Sequence, residues 1–471
     1  MKIYNLLILI VSFISFFIIL CKGELILSLM PLFFILSWIV TRFIKNDNIF
    51  FTKSVFIVFG IVRLVIIPFM IAITDDKRVD NLPLGFKYFD QGILLIIFEY
   101  LIGSLLLLIL SKVFKNKIYS RQSFRLAGSK FFYTVFILVA IAIFMAVPSV
   151  RETVSFLIIK TNATGRGEEA TAGINVLLRM LLQLALCLLF LISSFSAYKK
   201  YMKNARFTYL VLPLILGLIN VGLIVGERRS IQIYTLVAVL VVITLLFKKH
   251  SKKVNIIIIS LGAFILISMT LYKELYVFNF TSYSDALNSS NVNNIKLVDQ
   301  LQSYFYGPHN VAASIAYLHY YDGSFKQLIF DIARSIFGLN MLIDKSQLIT
   351  SQLFNQLIYG NKQLTGHLIS SAGYGYIYFG PLLFPIVIFT NLLFATSLEV
   401  FIRKTDSLEF IFIGTYLYMR VAFTLFGHTI PILTTGTMTL VVYSVIILLS
   451  ILFNNILRLV MIDDDKKVYE K

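Results

Sequence analysis

Apolar and polar positions along this chain alternate in long blocks. Apolar runs of about 20 residues recur from end to end, each able to cross a hydrocarbon core of about 30 Å as a helix. They fall near 3–21, 24–44, 52–74, 91–112, 131–149, 174–197, 206–226, 230–248, 254–275, 376–400, 407–426 and 436–459. Short polar connections separate most of them. One connection, 276–375, is far longer. It opens on the polar stretch "NFTSYSDALNSSNVNN" and continues with the aromatic "LVDQLQSYFYGPHNVAASIAYLHYY". It then reaches "SFKQLIFDIARSIFGLNML", where Leu328, Ile329, Ile332, Ile336 and Phe337 recur at helical spacing. That spacing predicts a helix lying on the membrane surface or packed on the bundle. The pattern divides the chain into nine spans (1–275), a large loop (276–375), and three further spans with a short tail (376–471). No repeat of the kind that builds inverted transporter halves is evident.

Composition agrees with the pattern. The chain is 58% hydrophobic and 14% charged, with mean hydropathy +0.85, which excludes an ordinary soluble domain. No small-residue cleavage site follows the first run and a second run begins at once, so 3–21 reads as a span and not a leader. The net charge of +18 would suit nucleic acid, but its distribution points elsewhere. Alternate connections are basic, and 24 of the 42 Lys and Arg residues fall on one side. By the positive-inside rule that side is cytoplasmic and holds both termini, as an even number of spans requires. The excess charge then reflects cytoplasmic loops and anionic lipid, with no nucleic acid partner. The long loop and the turn "GERRS" (226–230) face outward. Cys21 and Cys187 lie in or beside apolar runs and suggest neither a disulfide nor a metal site.

The chain has no Gly-rich nucleotide loop, no His-Glu-x-x-His and no Cys-x-x-Cys, so no cofactor or metal is expected. Candidate chemistry rests on charges in unusual places. Arg228 and Arg229, beside Glu227, sit outward where a bidentate cation suits phosphate; a solvated turn or lipid contact is the plainer reading. Arg179 and Arg420 lie inside spans, about two turns from the outer ends, where a charge is costly without a role. His428 follows Arg420 by eight residues, on roughly the same helical face. Arg63 and Glu99 are deeper, and an ion pair joining adjacent helices is preferred there over a proton relay. In the loop, His309 in "YGPHN" and His367 in "LTGHLISSAGYGYIYFGP" are candidate bases or phosphate ligands. Tyr304, Tyr306 and their aromatic neighbours would stack on sugar rings, or form the loop's own core.

About twelve spans, one large outward loop, outward arginines in "GERRS" and the Gly/aromatic re-entry "GHLISSAGYGYIYFGP" together resemble bacterial O-antigen and capsule polymerases of the Wzy type. The resemblance implies an all-α, GT-C-like, metal-independent glycosyltransferase, multi-pass in the bacterial cytoplasmic membrane. It implies a substrate of oligosaccharide repeat units on undecaprenyl pyrophosphate, joined at the outer face, with a flippase and a chain-length regulator as pathway partners. On that reading Arg228, Arg229, Arg420, Arg179 and His428 would hold pyrophosphate. His309, His367 or Glu227 would be the base, and Tyr304 and Tyr306 would contact sugar. An O-antigen ligase shares the architecture and donor. A lipid-oligosaccharide flippase or other secondary transporter would be favoured by Arg63 and Glu99 but not by the long loop. A membrane scaffold is the remaining alternative.

Overall fold

The computed structural model describes residues 2–44, 47–77, 84–115, 123–160, 173–225, 229–274, 282–289, 297–344, 346–359 and 369–469. In chain order the helices are α1 (Lys2–Cys21), α2 (Leu25–Arg42), α3 (Phe50–Ile61), α4 (Ile67–Thr74), α5 (Phe89–Val113), α6 (Lys130–Ala146) and α7 (Pro148–Glu152). There follow α8 (Gly173–Asn204), α9 (Val211–Gly222), α10 (Arg229–Leu246), α11 (Ser251–Glu274), α12 (Tyr283–Ser289), α13 (Leu297–Tyr304) and α14 (Pro308–Tyr317). The last are α15 (Phe325–Ser335), α16 (Thr350–Tyr359), α17 (Ser371–Leu383), α18 (Ile386–Lys404), α19 (Leu408–Phe423) and α20 (Ile430–Tyr469). Among the described residues, seven helical stretches are long and apolar enough to cross a membrane, and shorter apolar helices of 10–17 residues accompany them. The chain is an all-α polytopic membrane protein. Its strands β1 (Val154–Phe156) and β2 (Leu223–Val225) form a small antiparallel ribbon that pairs Val154 with Val225.

Every apolar run read from the sequence carries helix, but the run 206–226 ends in strand β2 and three others depart in detail. The run 52–74 contains a π-helical turn, Val62–Ile66, between α3 and α4. Pro68 has no N–H to offer the carbonyl four residues back, and the ladder widens just before it. Ile67 there bonds to the carbonyl of Val62, five residues back. The run 376–400 falls on two helices, α17 and α18, and α17 is itself kinked where Gly380 takes φ +70° before Pro381. Finally, α19 stops at Phe423, so His428 lies in the turn before α20 and not on the helical face of Arg420.

Two compact units form. The first comprises Met1–Ile118, Lys296–Arg403 and Val421–Met438. At its centre is α14, all ten of whose residues are buried. It packs against α5 and α17, and glycines permit the approach. A Cβ on Gly373 would stand 2.3 Å from the Ser314 hydroxyl, and one on Gly85 (φ +100°) 2.4 Å from the Ala313 nitrogen. Nearby, Tyr317, Leu328, Phe354, Tyr374, Ile377 and Val387 join one apolar cluster. Glu399 of α18 caps α3: its carboxylate accepts the N–H groups of Phe51 (2.9 Å) and Thr52 (2.8 Å), and Arg403 neutralises it at 2.9 Å. Those amides have no partner within α3, and the helix dipole favours an anion there.

The second unit comprises Tyr119–Ile295, Lys404–Arg420 and Thr439–Lys471. Here α8 packs on α6 and α9, and α10 on α11. Phe190, Leu191, Val239, Val242, Ile258 and Phe412 belong to its core. Glu409, fully buried, fastens the segment before α6. It accepts the amides of Ala127 (2.9 Å) and Gly128 (3.2 Å) and the hydroxyls of Tyr133 (3.1 Å) and Ser407 (2.8 Å).

Candidate functional site

In the second unit, α8 carries Asn175, Arg179, Gln183 and Cys187 at four-residue intervals, a polar stripe on an apolar helix. Phe412, Tyr416 and Arg420 recur on α19 with the same spacing. Gln183, Cys187, Phe412 and Tyr416 line one cavity with Asn220, Thr235 and Tyr443, a space of about 20 Å³, room for a single water. The rings of Phe190 and Phe412 meet at 6.2 Å. With Phe190 beside Phe412, and Gln183, Cys187 and Tyr416 lining the cavity, the residues fall in the order expected of antiparallel helices, which carries Arg179 and Arg420 toward the same end.

Helix α10 completes this end. Tyr234 lies edge-on to Tyr416 at 5.6 Å, and the Arg420 guanidinium sits 5.9 Å from the Tyr234 ring. Arg229 is the first residue of α10, five residues before Tyr234 and so about 7.5 Å farther along the axis; its side chain, with Glu227 and Arg228, lies outside the described residues. Gln232 is buried. Its amide donates to the Leu223 carbonyl at 2.8 Å, and its Oε1 has no partner. Three helices thus bring Arg179, Arg420 and the backbone of Arg229 to one end of a polar seam. A planar guanidinium suits an oxyanion with several equivalent oxygens, such as a phosphate ester.

The first unit holds a different polar cluster. The expected ion pair forms: Arg63 Nη1 and Glu99 Oε2 are 2.5 Å apart and both side chains are wholly buried. Arg63 Nε also donates to the Tyr306 carbonyl at 2.9 Å. Its guanidinium lies 4.9 Å from the Phe426 ring, and Ser371 donates to Glu99. Arg63 reaches this position from the π turn, a feature that often marks sites under special demand. Tyr306 has left-handed backbone (φ +55°), which turns its carbonyl to the cation while its ring is buried. Tyr304 is 46% exposed.

His309 is buried in the first turn of α14. Its Nε2 meets the Leu84 carbonyl at 3.1 Å and its backbone N–H meets Gln302 Oε1 at 3.3 Å. His428 is buried too. Its Nδ1–H donates to the Ile369 carbonyl at 3.0 Å, which leaves Nε2 as an acceptor without a partner. Burial pulls its pKa from 6.5 to about 4, so near neutral pH the ring offers a lone pair and no positive charge. His367 lies outside the described residues. Of the aromatic loop residues, Tyr317 is buried and stacks on Tyr321 at 5.1 Å; both belong to the loop's own packing.

The sequence reading passed over Asp331. This buried carboxylate accepts Gln327 Nε2 (2.9 Å), the Thr350 amide (3.1 Å) and the Tyr374 hydroxyl (2.9 Å), tying α15 to α16 and α17. Burial raises its pKa against those hydrogen bonds. A lone Asp in an amphipathic helix looks like a solvated residue until its neighbours are known. The chain matches no family model, no curated protein and no solved structure.

Proposed function

We propose that this protein is a membrane glycosyltransferase of the polysaccharide-polymerase type. It joins oligosaccharide repeat units carried on undecaprenyl pyrophosphate at the outer face of a bacterial cytoplasmic membrane. About twelve spans, a GT-C-like organisation and cytoplasmic termini are part of this reading. The observation that carries it is the convergence of Arg179, Arg420 and the Arg229 end of α10 at one end of the second unit. In the reaction, a sugar hydroxyl of one lipid-linked unit attacks the anomeric carbon of another. The bond from that carbon to pyrophosphate oxygen breaks, the hydroxyl proton passes to a base, and lipid pyrophosphate leaves. The charge on the leaving oxygens is what fixed guanidiniums stabilise. Glu227, in the same turn as Arg228 and Arg229, competes with His309 and His367 as the base. The Nε2 of His309 is held by the Leu84 carbonyl, which leaves Nδ1 as the nitrogen that would take the proton.

The test is deletion of the gene in its native host, followed by mass analysis of lipid-linked and surface glycans. Surface material limited to one repeat unit, restored to long chains by the intact gene, supports the polymerase. Long polymer left on its lipid carrier assigns the ligase reaction instead. Repeat units trapped on the cytoplasmic side assign a flippase and end the pyrophosphate-clamp reading.

A further inference from the structure

Helix α15 is inside out by the standards of a water-soluble surface. Its inward positions are Leu328, Asp331 and Ser335, two of them polar and one a carboxylate. Its apolar side chains face away: Phe325, Ile329 and Ile332 are 65%, 53% and 37% exposed. Their spacing, i, i+4 and i+7, places them in one arc along the helix. The turn that follows extends this surface, with Met341 66% and Leu342 84% exposed. Eleven residues, about 16 Å of helix, cannot cross a bilayer. So this apolar surface does not belong to a spanning segment.

A hydrogen bond ties it to a membrane-crossing helix. The N–H of Phe337, just past α15, donates to Thr437 Oγ1 at 3.0 Å. Thr437 lies seven residues into α20, about 10 Å along the axis of a membrane-crossing helix. An element in water above the bilayer would meet α20 at its tip. This one meets it two turns down, beside the edge of the apolar run 436–459, the level at which interfacial helices bury their apolar face. Lys326 is exposed at the edge of the same helix, as expected beside lipid headgroups.

We propose that residues 325–342 are an interfacial membrane anchor. The arc of Phe325, Ile329 and Ile332, with Met341 and Leu342, is sunk into the headgroup–acyl boundary of a phospholipid bilayer. The Asp331 network holds the polar side of the helix to the first unit. This inference does not rest on the glycosyltransferase reading.

The test uses the full-length protein in phosphatidylcholine–phosphatidylglycerol vesicles. Nitroxide is attached at Ile329→Cys or Leu342→Cys, each in a Cys21→Ser background; Cys187 is buried. Leu449→Cys on α20, 47% exposed, gives the lipid reference. Collision with oxygen, which partitions into lipid, is compared with collision with a water-soluble nickel chelate. The anchor predicts oxygen-dominated relaxation at both sites, with a shallower depth than at 449. Nickel-dominated relaxation at both sites overturns it. So does weak collision with both reagents together with spin–spin broadening, which would mean that a second copy of the chain covers the surface. Phe325→Cys repeats the measurement should either variant fail to elute as a single folded species.

Discussion

At the scale of single residues, the buried charges divide by what surrounds them. Arg63 and Glu99 are enclosed with hydrogen-bond partners on both sides, as expected of a structural pair. Removing one partner strands the other, at a cost of about 3–5 kcal/mol. Arg63→Met and Glu99→Leu should each lower the melting temperature sharply, while the double variant should melt above Arg63→Met alone. Additive losses in that cycle would refute a mutually neutralising pair. His428 supplies a pH test with a definite sign. Its folded pKa, about 4, lies below the unfolded 6.5. Between these values the unfolded chain binds the extra proton, so stability is full above pH 6.5 and is lost as pH falls toward 4. The loss has an upper limit of about 3 kcal/mol. Melting curves at neutral and acidic pH should converge in His428→Gln relative to the parent protein; an unchanged pH slope would contradict the buried neutral ring.

At the scale of elements, helix existence was legible and helix interruption was not. A block of apolar residues announces a span by length alone, which is why each run carries helix. The break at Gly380 and the π turn before Pro68 depend on which backbone groups find partners, and hydropathy is blind to that. The arginine positions were legible for a related reason: a cation inside an apolar block stands out. Asp331 and Glu409 were not, since their role is set by residues distant in sequence. Close packing around α14 yields a sharper expectation. Gly85→Ala places a methyl against backbone at a φ that L residues rarely adopt. Strain and collision together should cost upwards of about 2 kcal/mol, seen as a lowered melting temperature in detergent. A wild-type melt would mean that α14 can shift, and that its burial is looser than the glycine contacts indicate.

At the scale of the whole molecule, the arginine end of the second unit can be probed through product length. If Arg420 binds pyrophosphate through a planar fork, Arg420→Lys should shorten the polymer nearly as much as Arg420→Ala, because a point charge does not replace two parallel donors. A drop of about 10²-fold in polymerisation rate is the scale expected for losing one such donor. The measurement is the glycan length distribution in cells complemented with each variant at matched protein level. Full-length polymer from Arg420→Ala would remove this residue from the clamp. Equal loss of assembled protein in both variants would assign Arg420 a structural role instead.

The π turn at Val62–Ile66 has a consequence for how this chain tolerates change in length. One surplus residue in a helix rotates everything after it by about 100°. The widened turn within 50–74 absorbs such a surplus, so the residues after it keep the faces a regular helix would give them. Deleting a single residue within the turn would restore a regular ladder and leave Ile67, Ile71 and Ala72 in the interior they now fill. A deletion here should thus be less damaging than one elsewhere in 50–74, its main cost being the aim of Arg63 at Glu99.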